Sequence, residues 1–180
     1  MTLTHSTVPS RQACISPETL CVRPAHAADV RLAGRLRAAD LAEIQAAVGW
    51  PPEEVLRYGI EVSRPCFAVT HSVGDLLALF GVEPEIRHPG VGRVWFLGSD
   101  AVTANSFAFL RQSKNWIDEL HNHYAELWNF IDARNRLQIR WLKRCGFSLV
   151  RPVERHGIER RPFYEFRKVR TPVTTPARQP

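Results

Sequence analysis

Short apolar runs bounded by turn residues occupy the middle of the chain, at 66–70, 76–82 and 91–97. A Gly-Asp pair at 74–75 and a Pro-Gly pair at 89–90 separate them. Runs of this length between turn residues are typical of strands. The pattern therefore predicts an antiparallel meander of three strands.

Residues 107–121 carry apolar positions at helical spacing, and charged residues fall on the other side. This pattern is typical of a helix that rests one face on a core. We therefore predict one long amphipathic helix in this segment. Its apolar positions are Phe109, Leu110, Trp116, Ile117 and Leu120.

Shorter helices are predicted on both sides of these elements. Asp29 can cap one helix, and Asp40, followed three residues later by Glu43, has the spacing of a capping box that opens a second. A Pro-Pro pair at 51–52 starts a third. The segment 135–145 is the last predicted helix, because the glycine that follows it is a favoured helix stop.

Further strands are predicted at 20–23 and 127–131, and a hairpin at 147–153 and 162–169 closes the order. The succession is strand, helices, three strands, long helix, strand, helix and hairpin. It predicts an α+β domain, in the sense of a three-layer α/β arrangement, with a mixed, mostly antiparallel sheet and helices on both faces.

One domain is expected, because 180 residues lie near the usual domain size. Residues 1–19 and 170–180 mix small polar, proline and charged residues without periodicity. Such composition predicts disordered tails around a domain at 20–169.

The chain is basic, with a formal net charge of +6 and a sequence pI near 9.6. This balance favours anionic partners such as phosphates, nucleic acid or acidic proteins. The longest apolar run, at 76–82, is far shorter than the roughly 20 residues that cross a bilayer. We therefore expect no membrane span, and the absence of a signal-peptide pattern in the first 20 residues predicts a cytoplasmic location.

The four cysteines, Cys14, Cys21, Cys66 and Cys145, include no Cys-x-x-Cys pair. Scattered cysteines with apolar neighbours are typical of reduced thiols in a cytosolic protein. The alternative is a thiol nucleophile at Cys145, next to a basic arginine. Its place on the inner face of a predicted helix favours a packed thiol instead.

The stretch 135–147 begins with Asn135, carries aliphatic residues along one helix face and ends in Gly-Phe. It resembles the last conserved motif of the Gcn5-related N-acetyltransferases (GNATs). The element order over 20–169 also resembles that family. The resemblance implies a GNAT-like fold and acetyl-CoA as cofactor, with no metal.

A denser likeness is to the small GNAT-like protein of short-tailed bacteriophages, which is encoded among the internal virion proteins and linked to virion assembly. It implies other phage virion proteins as partners. The residues that carry it are Trp95, Phe96, Ser99, Asp100, Leu127, Trp128, Asn129, Phe130, Asn135, Ile139, Arg140, Leu142 and Lys143.

The GNAT resemblance implies a cofactor site where the central parallel strands diverge, and at the N-terminus of the long helix. Two departures from the family pattern concern chemistry. The phosphate loop has a single glycine and the acidic Asp100, and Leu142 stands where a tyrosine often protonates the CoA thiolate. The residues that would hold CoA are Leu97, Gly98, Ser99, Thr103, Ser106 and Asn135. For Asn135, a helix-capping role is an alternative or additional explanation.

Three residues near the predicted strand ends are candidates for a general base: Glu83, Glu85 and His71. The resemblance implies that a base relays a proton from the acceptor amine. The alternative for the carboxylates is a solvated turn. His121 and His123 lack a third ligand nearby in sequence, so no metal site is expected.

The closing hairpin is basic over 151–170, which permits contact with nucleic acid or an acidic partner. A solvated charged face is the alternative. The cations are Arg151, Arg155, Arg160, Arg161, Arg167, Lys168 and Arg170.

Two functions are therefore expected to compete. The first is a GNAT-fold phage protein of virion assembly or internal virion structure with a degraded acyl-CoA site. It would be located in the host cytoplasm and incorporated into the virion. The alternative is an active N-acetyltransferase that moves the acetyl group of acetyl-CoA to an amine.

Overall fold

The computed structural model describes residues 20–71 and 74–170, which form one seven-stranded sheet with helices. The predicted tails at 1–19 and 171–180 lie outside the described residues. Arg170 is described, and its main-chain N–H donates to the carbonyl of Ala125. The strands are β1 (Leu20–Pro24), β2 (Cys66–His71), β3 (Leu76–Pro84), β4 (Val91–Gly98), β5 (Glu126–Asp132), β6 (Ser148–His156) and β7 (Arg161–Val169).

The strands lie in the order β1-β2-β3-β4-β5-β7-β6. Every neighbouring pair is antiparallel except β4 and β5, which are parallel. The β2-β3-β4 meander is the one that the apolar runs predict. Glycines with positive φ, Gly74 and Gly90, lie in its two turns, where a residue without Cβ carries no strain.

Helices cover both faces of the sheet, so the predicted fold class is confirmed. A 3₁₀ helix (Ala27–Arg35), α1 (Ala38–Ala47) and α2 (Pro52–Val62) pack on one face. The short α3 (Asp100–Ala104), the long α4 (Ser106–His123) and α5 (Arg136–Arg144) follow later in the chain, and α4 and α5 pack on the other face. Strand β4 contacts both layers, because alternate side chains point to opposite faces.

The helix starts near the N-terminus differ from the predicted caps. Helix α1 begins at Ala38 after Arg37, so Asp40 lies inside its first turn and makes no capping box. Its carboxylate instead binds Arg37 and the main-chain N–H of Gly98. Asp29 lies within the 3₁₀ helix and pairs with Arg23. Both aspartates therefore join separate elements.

The turn between β6 and β7 packs against the end of α1. The main-chain N–H groups of Ile158 and Glu159 donate to the carbonyls of Ala47 and Ala46. These bonds satisfy carbonyls that the last turn of a helix leaves without intrahelical partners.

The cysteines divide into two kinds. Cys66 and Cys145 are free thiols, as predicted. Cys21 is disulfide-bonded, so the prediction of a reduced thiol is wrong at that position. For Cys145, burial raises the pKa of the thiol, which disfavours the thiolate of a nucleophile.

Candidate functional site

Strands β4 and β5 pair only at their N-terminal ends, where Val91–Arg93 lie beside Glu126–Trp128. Beyond this ladder the two strands diverge, and a cavity of about 510 Å³ lies around the gap. Asn129 spans the start of the gap, because its Nδ2 donates to the carbonyl of Val94 over 2.9 Å. The structure thus places an opening between the parallel strands, where the resemblance implies a cofactor arm.

The cavity wall is rich in aromatic residues. Phe96, Phe109 and Trp141 contact one another with ring centroids 5.2 to 5.7 Å apart. The indole Nε1 of Trp141 is buried and has no hydrogen-bond partner among the described residues. Other aromatic residues of the wall are Trp50, Tyr58, Phe80, Trp95, Trp116, Phe130, Phe147, Phe163 and Phe166.

The free edge of β4 is already partly bonded by the chain itself. The main-chain N–H of Gly98 donates to Asp40 Oδ2 over 2.9 Å, and the carbonyl of Gly98 accepts from the main-chain N–H of Arg37. The carbonyl of Val94 is bonded to Asn129. Because alternate residues of a strand direct their main-chain groups to the same side, Phe96 presents its N–H and C=O to the gap between these two positions.

A buried ion pair lies beside the bonded end of β4. Arg37 donates to Asp40 through Nε and Nη2, over 3.0 and 2.7 Å, and also to Gln138 Oε1 of α5 over 3.1 Å. Burial raises the pKa of Asp40 although Arg37 and Gly98 oppose that rise. These contacts connect α1, β4 and α5 across the open end of the gap.

Glu43 lines the cavity wall and is not among the base candidates that the sequence predicts. Its Oε2 accepts from Asn135 Nδ2 over 3.1 Å. Burial, assisted by the nearby carboxylates of Asp40 and Asp132, raises the pKa of Glu43 to about 7. No ion pair to Glu43 is present in the described part of the chain. A carboxyl group with such a pKa is able to take or give a proton near neutral pH.

Asn135 has two partners, one local and one distant. Its Oδ1 accepts from the main-chain N–H of Gln138, which is a helix N-cap bond, and its Nδ2 donates to Glu43. The capping role is therefore present. The structure does not test the predicted contact of Asn135 with CoA.

The residues predicted to hold CoA lie in three different environments. The hydroxyl of Ser99 is buried and donates to the carbonyl of Leu77, and Leu97 lines the large cavity. Thr103 and Ser106 instead line a second cavity of about 280 Å³ between the start of α4 and α5. Gly98 is the residue whose main chain Asp40 and Arg37 occupy.

The three predicted base candidates do not meet at one point. Glu83 accepts from the Tyr58 hydroxyl over 2.7 Å, and Glu83 and Glu85 both pair with Arg93. His71 ends β2, beside the start of β3, and lies next to Asn105 with 3.2 Å between Nε2 and Oδ1. The intervening length of β3 is roughly 23 Å. Of the three, Glu83 lines the large cavity.

Several cations of the basic hairpin already have partners. Arg151 pairs with Glu165, Arg161 with Glu159, and Arg167 with both Glu126 and Glu165. In contrast, the described residues supply no ion pair to Arg155 or Arg160. The cations available to an external partner are therefore concentrated near the turn.

Two further expectations concern absences. No group of three or more potential metal ligands occurs within 20–71 and 74–170. Among the helices of the described chain, none has both the length and the apolar character needed to cross a membrane.

Residues 87–151 match the family described as "Bacteriophage T7, probable scaffold protein Gp13". The matched segment is less than half of the chain and extends from just before β4 into β6. A search among curated proteins finds no match.

Solved structures similar to this chain are GNAT acetyltransferases. yncA from Salmonella typhimurium, solved with acetyl-CoA as its cofactor, has a TM-score of 0.64 and 12% identity, covering 89% of this chain and 99% of that one. A GNAT-family acetyltransferase from Bacillus anthracis has a TM-score of 0.63 and 11% identity, covering 86% of this chain and 97% of that one. A GNAT-family acetyltransferase from Streptococcus pneumoniae has a TM-score of 0.56 and 16% identity, covering 83% of this chain and 98% of that one. At these identities the likeness confirms the GNAT fold.

Proposed function

We propose that this GNAT-fold chain acts in the assembly of a short-tailed phage particle, in the host cytoplasm, and is incorporated into the virion. The observation that carries the proposal is the match of residues 87–151 to a phage scaffold family. That segment contains β4, β5 and α5, which build the gap and one wall of each cavity. The segment that matches the phage family therefore includes the strands that border the gap and the helix beside both cavities.

A degraded acyl-CoA site is part of the same proposal. A pantetheine arm pairs with exposed strand backbone as an added strand does. Here Asp40, Arg37 and Asn129 already bond the backbone of β4 at Gly98 and Val94. Leu142 is buried and has no proton to donate. These features support a scaffold that keeps the fold for interaction.

Deletion of the gene from the phage tests the assembly role. We expect fewer infectious particles, and mass spectrometry of purified particles should show one or more internal proteins depleted. Expression of the intact chain from a plasmid should restore both. Particles of normal yield, composition and infectivity after deletion would contradict the proposal.

A second candidate function is N-acyl transfer to an amine, and the cavity with Glu43 on its wall favours it. Residues that fit acetyl-CoA are present: Phe96 offers main-chain groups in the gap, and Arg140 and Arg144 line the second cavity with Thr103 and Ser106. Bound acetyl-CoA would supply the acyl thioester. Glu43 would hold the proton that the acceptor amine loses, because its pKa lies near 7.

Calorimetric titration with acetyl-CoA tests the second candidate. Acyl transfer requires saturable binding, expected in the micromolar range, and a weaker response in an Arg140→Ala/Arg144→Ala variant. Heat equal to the buffer blank at millimolar ligand would exclude it. If binding occurs, Glu43→Gln should lower acetylation of a test amine without changing the affinity for acetyl-CoA.

We propose the basic hairpin as the surface that contacts nucleic acid inside the particle. Arg155 and Arg160, near its turn, are exposed and have no ion pair in the described chain, and neither has Arg170 at its end. Phosphate contacts of this kind fix position and carry no sequence specificity.

A further inference from the structure

A basic groove lies between the start of α4 and α5, at the second cavity. Its wall is largely apolar, with Val102, Phe109, Leu110 and Leu137 among the lining residues. Trp141, whose Nε1 has no partner in the described chain, also lines it. The groove is large enough to accept an aromatic side chain.

Exposed cations of α5 lie along one side of this groove. Arg140 and Arg144 line it, and Arg136 and Lys143 lie on the same helix. All four are exposed, and within the described residues none of them has a carboxylate partner. Arg37, also in the lining, is already paired with Asp40. The groove therefore offers uncompensated positive charge around an apolar centre.

The matched segment builds this groove almost entirely. All of its lining residues except Arg37 fall within 87–151. By contrast, α1 and α2, which line the larger cavity from the other face, lie outside the match. The part of the chain shared with a phage scaffold family is thus the part that forms the basic groove.

The opposite face carries a surface of the complementary kind, here called the acidic patch. Trp50 and Tyr58 are 49% and 43% exposed and contact each other edge to face, with ring centroids 6.0 Å apart. Glu53, Glu54 and Glu61 are exposed on α2, the helix that carries Tyr58, and no ion pair to these glutamates occurs in the described chain. Arg57 is the one cation of this helix, so α2 has a net negative charge.

We infer that the basic groove of one copy binds the acidic patch of a second copy of this chain, with Trp50 as the apolar anchor. The inference rests on the proposed assembly function and names a partner for it. Aromatic anchors in apolar pockets, with complementary charges around them, are typical of specific interfaces.

The geometry of such contacts is head to tail. Helix α2 packs on one face of the sheet and α5 on the other, so each copy keeps one surface free after it has bound a neighbour. A heterologous contact of this kind forms a ring if it closes and an open chain if it does not. Either product suits a protein that organises other proteins during particle assembly.

Sedimentation velocity of the full chain, from low micromolar to submillimolar concentration, tests the inference. We expect association that grows with concentration and weakens with rising salt. Glu53→Lys/Glu54→Lys and Arg140→Glu/Arg144→Glu should each weaken self-association by about tenfold or more. Trp50→Ala tests the anchor without changing charge. Arg155→Glu/Arg160→Glu makes an equal charge change on the hairpin and should leave association intact.

A mixture of the two charge-reversed variants gives the decisive result. Each variant keeps one intact surface, and the two reversed surfaces also carry opposite charges, so the mixture should recover the association that each variant alone has lost. Circular dichroism and thermal unfolding must first show that both variants are folded. A wild-type chain that stays monomeric overturns the inference, as does association that either reversal leaves unchanged, or a mixture that stays monomeric.

Failure of the inference and failure of the assembly function are separable. If the purified chain self-associates but deletion of its gene leaves the phage unaffected, the proposed assembly function fails and the proposed contact stands. If the phage requires the gene but the purified chain stays monomeric, the proposed contact fails and the proposed assembly function stands.

Discussion

Three neighbouring carboxyl groups, those of Asp40, Glu43 and Asp132, illustrate how the surroundings of a group decide its ionisation. Burial raises the pKa of Asp132, but hydrogen bonds from Arg134 bring it below its usual value overall. For Asp40, burial outweighs the stabilisation from Arg37. Glu43 has an amide partner and no guanidinium, so burial raises its pKa to about 7. An amide stabilises a carboxylate less than a cation does.

Glu43 should make stability depend on pH. Its pKa rises from 4.5 to about 7 on folding, so between these values the folded chain binds more protons than the unfolded chain. Stability from this group is full below pH 4.5 and falls as pH rises through about 7. Glu43→Gln, which stays neutral and keeps an oxygen for Asn135, should remove this fall and be more stable above pH 7 by about 1 to 2 kcal/mol.

Urea denaturation of both chains across this pH range measures the effect. A Glu119→Gln variant, which changes an exposed carboxylate on α4, serves as the control. If the stability difference between wild type and Glu43→Gln were the same at every pH, Glu43 would have an ordinary pKa.

Asp40 should be among the costly residues to truncate. Asp40→Ala leaves Arg37 buried without its carboxylate and the main-chain N–H of Gly98 without an acceptor. Breaking a buried pair in this way costs about 3 to 5 kcal/mol. Asp118→Ala, which breaks an exposed pair with Lys114, should cost at most about 0.5 kcal/mol. Chemical denaturation compares them, and equal losses would show that the α1–β4 contact adds little.

The sequence predicts some of these residue roles and misses others for a physical reason. The cap at Asn135 is local, because its acceptor bond reaches three residues along the chain. The sequence pattern places Glu43 in a capping box, since Asp40 precedes it by three residues. The raised pKa of Glu43 depends first on burial, and then on Asn135, Asp40 and Asp132, and these surroundings form only in the folded chain.

At the scale of elements, the β6–β7 turn and α1 depend on each other. Gly157 has a φ of 66°, and a Cβ there would lie 2.3 Å from the carbonyl oxygen of Ala46 and 2.6 Å from Ala47 Cα. Only a glycine allows the turn to approach the helix end this closely. The β6–β7 turn also supplies the main-chain N–H groups that donate to the last carbonyls of α1.

Gly157→Ala should therefore separate the turn from α1. Backbone atoms cannot move aside as a flexible side chain can, so we expect a loss of about 2 to 3 kcal/mol in unfolding free energy. Gly34→Ala is the matched control, because nothing lies within 4 Å of the position that the new Cβ would take, and it should change stability by less than about 1 kcal/mol. Thermal unfolding measures both. Similar values for the two variants would contradict the close contact.

Element prediction succeeds where periodicity is strong. The meander, the long helix, and the helix after Asn135 are observed within a few residues of the predicted ends. The first helical segment is a 3₁₀ helix and α1 begins before Asp40. Asp29 still makes a local capping bond, because its carboxylate accepts from the main-chain N–H of His26. At Asp40 the bond from the main chain of distant Gly98 outweighs the local capping preference.

At the scale of the whole molecule, positive charge is unevenly available. Ion pairs engage Arg151, Arg161 and Arg167 of the hairpin, whereas Arg155 and Arg160 near its turn have none in the described chain. The net charge of +6 therefore overstates what an external anion meets at this surface.

We expect weak, salt-sensitive binding of duplex DNA through the hairpin. Fluorescence anisotropy with a labelled duplex should show affinity that falls as salt increases, because counterions are released when the hairpin cations neutralise phosphates. Arg155→Glu/Arg160→Glu should reduce the affinity by about tenfold, and Arg140→Glu/Arg144→Glu should reduce it less. Equal effects of the two pairs would place the contact elsewhere.

The overall architecture follows from the order of elements, but the state of the central gap does not. Parallel pairing of β4 and β5 is what a crossover through the long helix provides. No local pattern shows that Asn129 and Asp40 bond the backbone of β4, since their partners are 35 and 58 residues away in sequence. These long-range bonds are the features on which the choice between scaffold and enzyme depends.

The short ladder between β4 and β5 also has a mechanical consequence. Three residue pairs join these strands, whereas β3 and β4 share seven, as do β5 and β7. A pulling force applied across the sheet would meet its least resistance at this junction. Under the proposed assembly role, tension between neighbouring copies would part the domain there first, leaving strands β1 to β4 and β5 to β7 as two pieces still tethered by α4.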